Sequence, residues 1–207
     1  FGRTGHEFKV HMQKLDDILK TFLGSSLIND RYVLIVSDHG HVLKGGHGGG
    51  EADVVNALFM LSGPDVISGN IKFININQTD ICPTICALLG IPVPYLNTGS
   101  FLARIFSFSD YLKLLKIKSV LYQKSEFYKS YLKSSQTEAT RIFDCEAYIE
   151  DIEKTSGSNY PDALVKLEAY EKKIDIEFMN IDEISRKLKD IMFDTIKFID
   201  EVQKAGE

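Results

Sequence analysis

Apolar residues recur every three or four positions through much of this chain, and that spacing predicts helices. In the first half it predicts one helix over residues 11–22, ended by Gly24, and another that begins near Thr79 and ends at Gly90. In the second half the same spacing is almost continuous. It predicts four amphipathic helices, over residues 109–133, 137–155, 161–178 and 181–203.

Short apolar runs between polar and glycine-rich segments predict strands in the first half only. Residues 32–36 and 57–61 predict buried strands, and the alternating residues 71–74 predict a shorter one. Strands of this kind alternating with helices indicate an α/β fold with a mostly parallel sheet. In such sheets ligands bind beyond the carboxyl ends of the strands.

A change of composition near residue 106 predicts two domains, residues 1–106 and residues 107–207. Thirteen of the 15 glycines precede residue 106, whereas 16 of the 24 Lys and Arg residues follow it. The net charge of −5 and the lack of a basic stripe argue against a nucleic acid partner. No apolar run approaches the roughly 20 residues that span a bilayer, so no transmembrane helix is expected within these residues.

The three cysteines do not have the spacing of a metal site or of a disulfide framework. Cys82 and Cys86 lie four residues apart within an apolar helical pattern, and Cys145 stands alone. We expect buried free thiols.

Histidine is confined to the start of the chain, since all five histidines lie in the first 47 residues. Asp38 and His39 follow the first predicted strand directly, and a glycine-rich segment leads from them to His47. Carboxylate oxygen and imidazole nitrogen are ligands that Zn²⁺ accepts, and glycines allow ligands distant in sequence to converge. The pattern predicts a metal site at the end of this strand.

Two motifs in this order resemble a known enzyme group. Ser37-Asp38-His39-Gly40, followed by Gly46-His47-Gly48, is similar to the metal motif of the alkaline phosphatase superfamily. The later Pro-Thr…Leu-Leu-Gly-x-Pro-x-Pro element of residues 83–94 is similar to a segment of the glycosylphosphatidylinositol (GPI) ethanolamine phosphate transferases and their phosphodiesterase-like relatives. The resemblance covers about residues 3–106. It implies the C-terminal part of an alkaline-phosphatase-like sandwich, followed by an all-helical segment.

The resemblance also implies two divalent metal ions, Zn²⁺ or Mn²⁺. Asp38 and His39 would hold one ion, and His47 with an Asp-x-x-x-His pair would hold the other. His6 is the candidate histidine of that pair, but Gly2 stands where its acid is expected. Glu7 and His11 offer an alternative acid–histidine pair. The nucleophile, a Thr or Ser, is expected upstream of Phe1, so residues 1–207 alone are expected to be inactive.

Further polar residues near the motif have open roles. His41, Lys44 and Glu51 are candidates for orienting a ligand or touching a substrate phosphate, and a solvated surface role is the alternative. Asp80 and Thr84 are expected to cap and pack the helix that starts near Thr79.

The implied function is metal-dependent transfer of phosphoethanolamine from a phospholipid to a glycan in GPI anchor biosynthesis. The implied location is the lumenal face of the endoplasmic reticulum membrane, with secreted or extracytoplasmic protein as the alternative. Two other functions stay open. One is a soluble phosphodiesterase, phosphatase or sulfatase-like hydrolase of the same superfamily. The other is a degenerate, non-catalytic interaction module.

Overall fold

The computed structural model of this chain describes residues 5–46, 49–69, 76–134 and 143–205. The chain forms two compact units: residues 1–71 with 105–107, and residues 72–104 with 108–207. Among the described residues, 76–104 therefore belong with the helices that follow them, although they precede the change of composition. The predicted domain boundary at residue 106 concerns the extent of the phosphatase-like domain and stays a prediction.

The first unit contains two helices and two strands in alternation. They are α1 (His6–Leu23), β1 (Val33–Val36), the single-turn α2 (Ala52–Val55) and β2 (Phe59–Ser62). The helix predicted over residues 11–22 is confirmed and begins five residues earlier, and Gly24 caps its end. Both predicted strands are present, within two residues of their predicted bounds, but they are not buried: their residues are half-buried or exposed, and Val36 and Met60 are 44% and 46% exposed.

β1 and β2 pair antiparallel. Val33 lies opposite Ser62, and Val36 lies opposite Phe59. The expected sheet is mostly parallel, but a mostly parallel sheet can carry an antiparallel edge strand. The wider sheet therefore stays a prediction, and the strand predicted over residues 71–74 falls in the part of the chain that the structure leaves undescribed.

A second antiparallel contact attaches residues 105–107 to this unit. Val66 forms an isolated bridge with Phe106, and the Ile67 amide donates to the Ile105 carbonyl at 2.9 Å. Phe106 is fully buried, and Val54 of α2 is 5% exposed. Together with Ile105, these apolar side chains are buried among the described residues of this unit.

The second unit opens with α3 (Gln78–Leu89), which contains a proline well inside the helix. Pro83 has no N–H to donate to the carbonyl of Thr79, four residues earlier. The structure supplies another donor, because the Asn97 side-chain amide lies 3.2 Å from that carbonyl oxygen. A residue distant in sequence thus replaces the hydrogen bond that Pro83 removes.

Both ends of α3 are capped: the end at Gly90 is as the sequence predicts, whereas the N-cap is Asn77 rather than Thr79. Asn77 and Asp80 form a capping box at its start, and Gly90 ends it in the left-handed conformation with φ 68°. Asp80 is buried, and its second carboxylate oxygen accepts from the Ser100 amide at 2.9 Å. Thr84 accepts from the Leu102 amide at 3.1 Å. The expected capping and packing roles of Asp80 and Thr84 are confirmed.

Three long helices complete the second unit: α4 (Asp110–Ser134), α5 (Cys145–Ser156) and α6 (Tyr160–Ala205). The predicted junction near Asn180 is wrong, because α6 runs through it without a break. Asp182 does not end the helix. It accepts from the Tyr131 hydroxyl of α4 at 2.7 Å and pairs with Arg186 one turn further along. No glycine or proline lies between residues 162 and 205 to stop the helix.

Helices α4 and α6 run parallel, because contacting positions rise together along both. Lys124, Tyr128 and Tyr131 of α4 meet Glu171, Asp175 and Asp182 of α6 in that order. The three helices bury apolar side chains against one another. The buried set includes Leu114, Ile117, Leu121, Leu132, Ile149, Ile152, Leu167 and Ile174.

Lys124 lies within this core and is 1% exposed. Its ammonium donates to Glu171 at 2.7 Å, to Ser100 at 3.1 Å and to Asp175 at 3.2 Å. The Tyr128 hydroxyl also donates to Asp175. Burial raises the pKa of Tyr128 most, and the neighbouring Asp175 carboxylate raises it further, so the phenol stays protonated. Three segments distant in sequence thus meet at one buried cation.

The three cysteines are free, as predicted. Cys86 and Cys145 are buried, and Cys82 is half-buried. Burial raises the pKa of Cys145 to about 11, which keeps it a thiol at neutral pH. None of the helices described is both long enough and apolar enough to cross a bilayer.

Lys124→Met is expected to lower the free energy of unfolding by about 3–5 kcal/mol, because it leaves two carboxylates without their buried cation. The measurement is urea unfolding followed by circular dichroism. Lys129→Met is the matched control on the same helix. The Lys129–Glu126 pair is largely exposed, and its loss should cost no more than about 1 kcal/mol. Equal effects of the two variants would contradict the assigned role of Lys124.

Candidate metal centre

The end of β1 is fixed by hydrogen bonds in both directions. The Ser37 amide donates to the Leu58 carbonyl at 3.1 Å, and the Leu58 amide donates to the Ser37 hydroxyl at 2.8 Å. The chain next to β2 therefore holds the point at which Asp38 and His39 leave the strand. Their place at the carboxyl end of a strand agrees with the sequence prediction.

Gly40 brings the backbone that follows His39 against α2. Its amide donates to the Val54 carbonyl at 2.7 Å. A Cβ atom at Gly40 would lie 2.1 Å from the Asp53 carbonyl oxygen and 2.7 Å from that of Asn56. Only glycine fits without movement of the backbone, which is the physical reason for a glycine directly after the Asp-His pair.

Asp38 and His39 place a carboxylate oxygen and a ring nitrogen side by side. Asp38 Oδ2 and His39 Nε2 are 3.6 Å apart, and the other carboxylate oxygen accepts from the His39 amide at 2.9 Å. The His39 side chain is 34% exposed and that of Asp38 is 87% exposed. Both groups can therefore be reached from solvent.

This arrangement fits the chemistry of a divalent ion. Two donors on one tetrahedral zinc, each at about 2.0–2.2 Å, lie about 3.3–3.6 Å apart. The Asp38–His39 separation of 3.6 Å falls within that range. His39 Nδ1 also lies 2.8 Å from the Gly40 carbonyl oxygen. With the proton on Nδ1, this contact orients the ring and leaves Nε2 as the donor, the pattern common among zinc-binding histidines.

His41 lies beside this pair. Its ring centroid is 5.1 Å from that of His39 in an edge-to-face arrangement. His41 Nδ1 lies 3.1 Å from the carbonyl oxygen of Gly46, which has a φ of 93°. The tight turn at Gly45 and Gly46 thus brings the chain back towards His41.

The remaining predicted site residues have different placements. His6 is the first residue of α1, Lys44 is exposed, and Glu51 precedes α2 with its carboxylate folded over Gly49. His47 is among the residues that the structure leaves undescribed. Among those that it does describe, no group of three or more His, Cys, Asp or Glu is arranged to hold a metal ion. Of the predicted site residues, the structure pairs Asp38 with His39 and sets the His41 ring beside that of His39.

The buried polar cluster around Lys124 was missed by sequence reasoning. The second half of the chain was assigned only an apolar core. A signal was present, because Lys124 falls in line with the apolar positions Ile117, Leu121 and Tyr128 at spacings of three or four residues. A lysine on the core face of a helix is buried only when it is paired.

Gly40→Ala is expected to displace the Asp38–His39 segment from α2 and to cost about 1–3 kcal/mol, because the added methyl group meets backbone rather than a movable side chain. Hydrogen exchange measured by mass spectrometry should show lost protection at Gly40 and through residues 33–46. Gly50→Ala is the matched control, since a Cβ there meets nothing within 4 Å. Unchanged exchange in Gly40→Ala would rule out the close approach to α2.

About half of the chain is similar in sequence to proteins named GPI ethanolamine phosphate transferase. It is 32% identical over 105 residues to the GPI ethanolamine phosphate transferase 3 catalytic subunit of Mus musculus, a match covering 49% of this chain and 9% of that protein. It is 30% identical over 126 residues to GPI ethanolamine phosphate transferase 3 of Schizosaccharomyces pombe, covering 58% of this chain and 14% of that protein. It is 27% identical over 130 residues to GPI ethanolamine phosphate transferase 2 of Saccharomyces cerevisiae, covering 51% of this chain and 15% of that protein.

The chain thus spans less than a sixth of the length of these relatives. No protein-family model matches it, and no solved structure is significantly similar. The chain is a partial and distant relative of the GPI ethanolamine phosphate transferases.

Proposed function

We propose that this chain is part of a metal-dependent enzyme that transfers phosphoethanolamine from a phospholipid to a glycan in GPI anchor biosynthesis. The partial relatives support the transferase and the GPI pathway by their names. The proposed location is the lumenal face of the endoplasmic reticulum membrane. Attachment to the membrane would come from segments outside the 207 residues.

One observation carries the metal-dependent part of the proposal. Asp38 Oδ2 and His39 Nε2 lie 3.6 Å apart at the end of β1, with His39 oriented by the Gly40 carbonyl. A carboxylate and an oriented imidazole at this separation suit a single divalent ion.

In this proposal Asp38 and His39 hold one of two divalent ions, Zn²⁺ or Mn²⁺. His47 and His6 are the proposed ligands of the other ion. His41, Lys44 and Glu51 are candidates for orienting ligands or contacting a phosphate. Two such ions would neutralise charge on the transferred phosphoryl group and activate the attacking hydroxyl.

A second candidate function, a non-catalytic interaction module, is favoured by one feature of the sequence. Gly2 occupies the position where the resemblance to the phosphatase superfamily places an acidic ligand. Glycine has no side chain with which to bind a metal. A chain that had lost this metal ligand could keep the fold and lose catalytic activity.

The first test measures bound metal and transfer activity in the full protein that carries this sequence. Asp38→Ala and His39→Ala should each lower zinc stoichiometry and reduce transfer of phosphoethanolamine at least about 100-fold, because each removes a direct ligand. His47→Ala should lower the stoichiometry at the second site. The stoichiometry is measured by inductively coupled plasma mass spectrometry after dialysis.

Asp16→Ala serves as the control, because it removes an exposed carboxylate from α1 in the same unit. It should leave both metal and activity unchanged. Absence of bound metal in the unaltered protein would favour the non-catalytic candidate, whereas unchanged metal in Asp38→Ala and His39→Ala would refute the ligand assignment.

A further inference from the structure

Helix α3 and the chain that follows it have an unusual composition. From Ile81 to Ala103 there is no Asp, Glu, Lys, Arg or His in 23 residues. Residues 81–89 belong to α3, and most of the exposed residues of this stretch lie in residues 89–96. Connecting segments of globular proteins usually lie on the surface and are rich in polar residues, so an exposed connection without charge needs a physical explanation.

The middle of this segment, residues 89–96, exposes large apolar side chains; we name it the apolar loop. Leu89 is 62% exposed, Ile91 51%, Tyr95 55% and Leu96 76%. A single exposed apolar side chain is ordinary, but four within eight residues form a patch. Such patches mark sites of contact with other molecules or with membranes.

The apolar loop is held rigidly, so that exposure of these side chains is a fixed feature. Val93 is buried, and its amide donates to the Gln123 side chain of α4 at 2.6 Å. The Tyr95 ring packs edge-to-face on Phe127 of α4, with centroids 5.5 Å apart. Gly90 turns the chain at the start of the loop in the left-handed conformation.

The close of the loop is equally constrained. The Gly99 amide donates to the Asn97 side chain at 2.8 Å. A Cβ atom at Gly99 would lie 2.0 Å from the Thr79 carbonyl oxygen, so only glycine allows this approach. A loop fixed at both ends and at its centre loses little conformational entropy when it binds another surface.

Two lysines of α4, Lys113 and Lys116, precede the part of the helix that contacts the loop, whereas Lys118 on the same stretch is paired with Glu153 of α5. The Lys116 ammonium lies 2.6 Å from the Ala87 carbonyl oxygen, two residues before Leu89, and Lys113 is one turn earlier on α4. Lysines that border an apolar patch suit the phosphates of lipid headgroups.

The size of the patch also favours a bilayer over a folded protein. Four side chains offer a few hundred Å², whereas a stable protein–protein interface buries about 800 Å² on each partner. Leu and Ile side chains enter the acyl region readily, and the tyrosine ring suits the boundary between acyl chains and headgroups.

We infer that the apolar loop inserts into the interface of a phospholipid bilayer, with Leu89, Ile91 and Leu96 among the acyl chains and Tyr95 at headgroup level. The inference rests on the proposed function, in which a phospholipid is the phosphoethanolamine donor. Contact of this loop with the bilayer would hold the protein at the surface where that donor is found.

The test places a photoreactive reporter on the loop of the full protein. Leu96 is replaced by p-benzoyl-phenylalanine, and the protein is held in nanodiscs of phosphatidylcholine and phosphatidylethanolamine whose acyl chains carry an alkyne. Leu96 is the most exposed of the four large apolar side chains of the loop, so the replacement should not disturb folding. Irradiation should attach alkyne-tagged lipid to the protein, at least about tenfold above the control.

The control places the same reporter at Glu150, an exposed position on α5. Crosslinking of position 96 only to protein, within the chain or to a second copy, would overturn the inference, and so would lipid labelling equal to that at Glu150. Because the readout is lipid attachment, it is independent of metal binding and transfer activity. Lipid labelling at position 96 without bound metal would therefore refute the proposed chemistry but keep the membrane contact.

Discussion

The candidate site depends on the close approach of the Gly40 backbone to α2. The Gly40 amide bonds to the Val54 carbonyl at 2.7 Å, and no side chain fits between them. This contact fixes the direction in which the chain leaves β1. It also places the Gly40 carbonyl where it meets His39 Nδ1. A glycine thus does two things here: it permits the approach, and its carbonyl orients the neighbouring imidazole.

The second unit is organised by polar groups that are removed from water. Lys124 joins α4 to α6 and to Ser100, and the Ser100 amide in turn bonds to Asp80 at the start of α3. A buried cation needs all of its partners, because an unpaired charge in the interior is costly. Such a cluster fixes the positions of the elements that supply it, and so it sets the register of the parallel helices more than an apolar core would.

Similarity to the transferases and the geometry at the end of β1 bear on different parts of the proposed function. The relatives cover about half of this chain and support the family by name. The distance between Asp38 Oδ2 and His39 Nε2 supports metal binding, and it is independent of the names of the relatives. The two can fail separately, which is why bound metal and transfer activity are measured side by side.

Local features were predictable because their causes lie within a few residues. The strand β1, the Asp-His pair after it and the caps of α3 follow from apolar runs, capping residues and a terminal glycine. Features that depend on distant partners were not. The sequence does not show that Asn97 replaces the donor missing at Pro83, or that Asp182 bonds to Tyr131 of α4. It does not show the antiparallel pairing of β1 with β2 either.

The sequence by itself determined α1, β1, β2, α3 and the helical nature of the second half, together with the candidate ligands and the likeness to one enzyme group. The tertiary structure decided which carbonyl orients His39, why residue 40 is glycine, and where Lys124 finds its counter-charges. The reason is physical. Helix and strand periodicity and capping act over three or four residues, whereas close backbone approach and the pairing of buried charge depend on groups that only folding brings together.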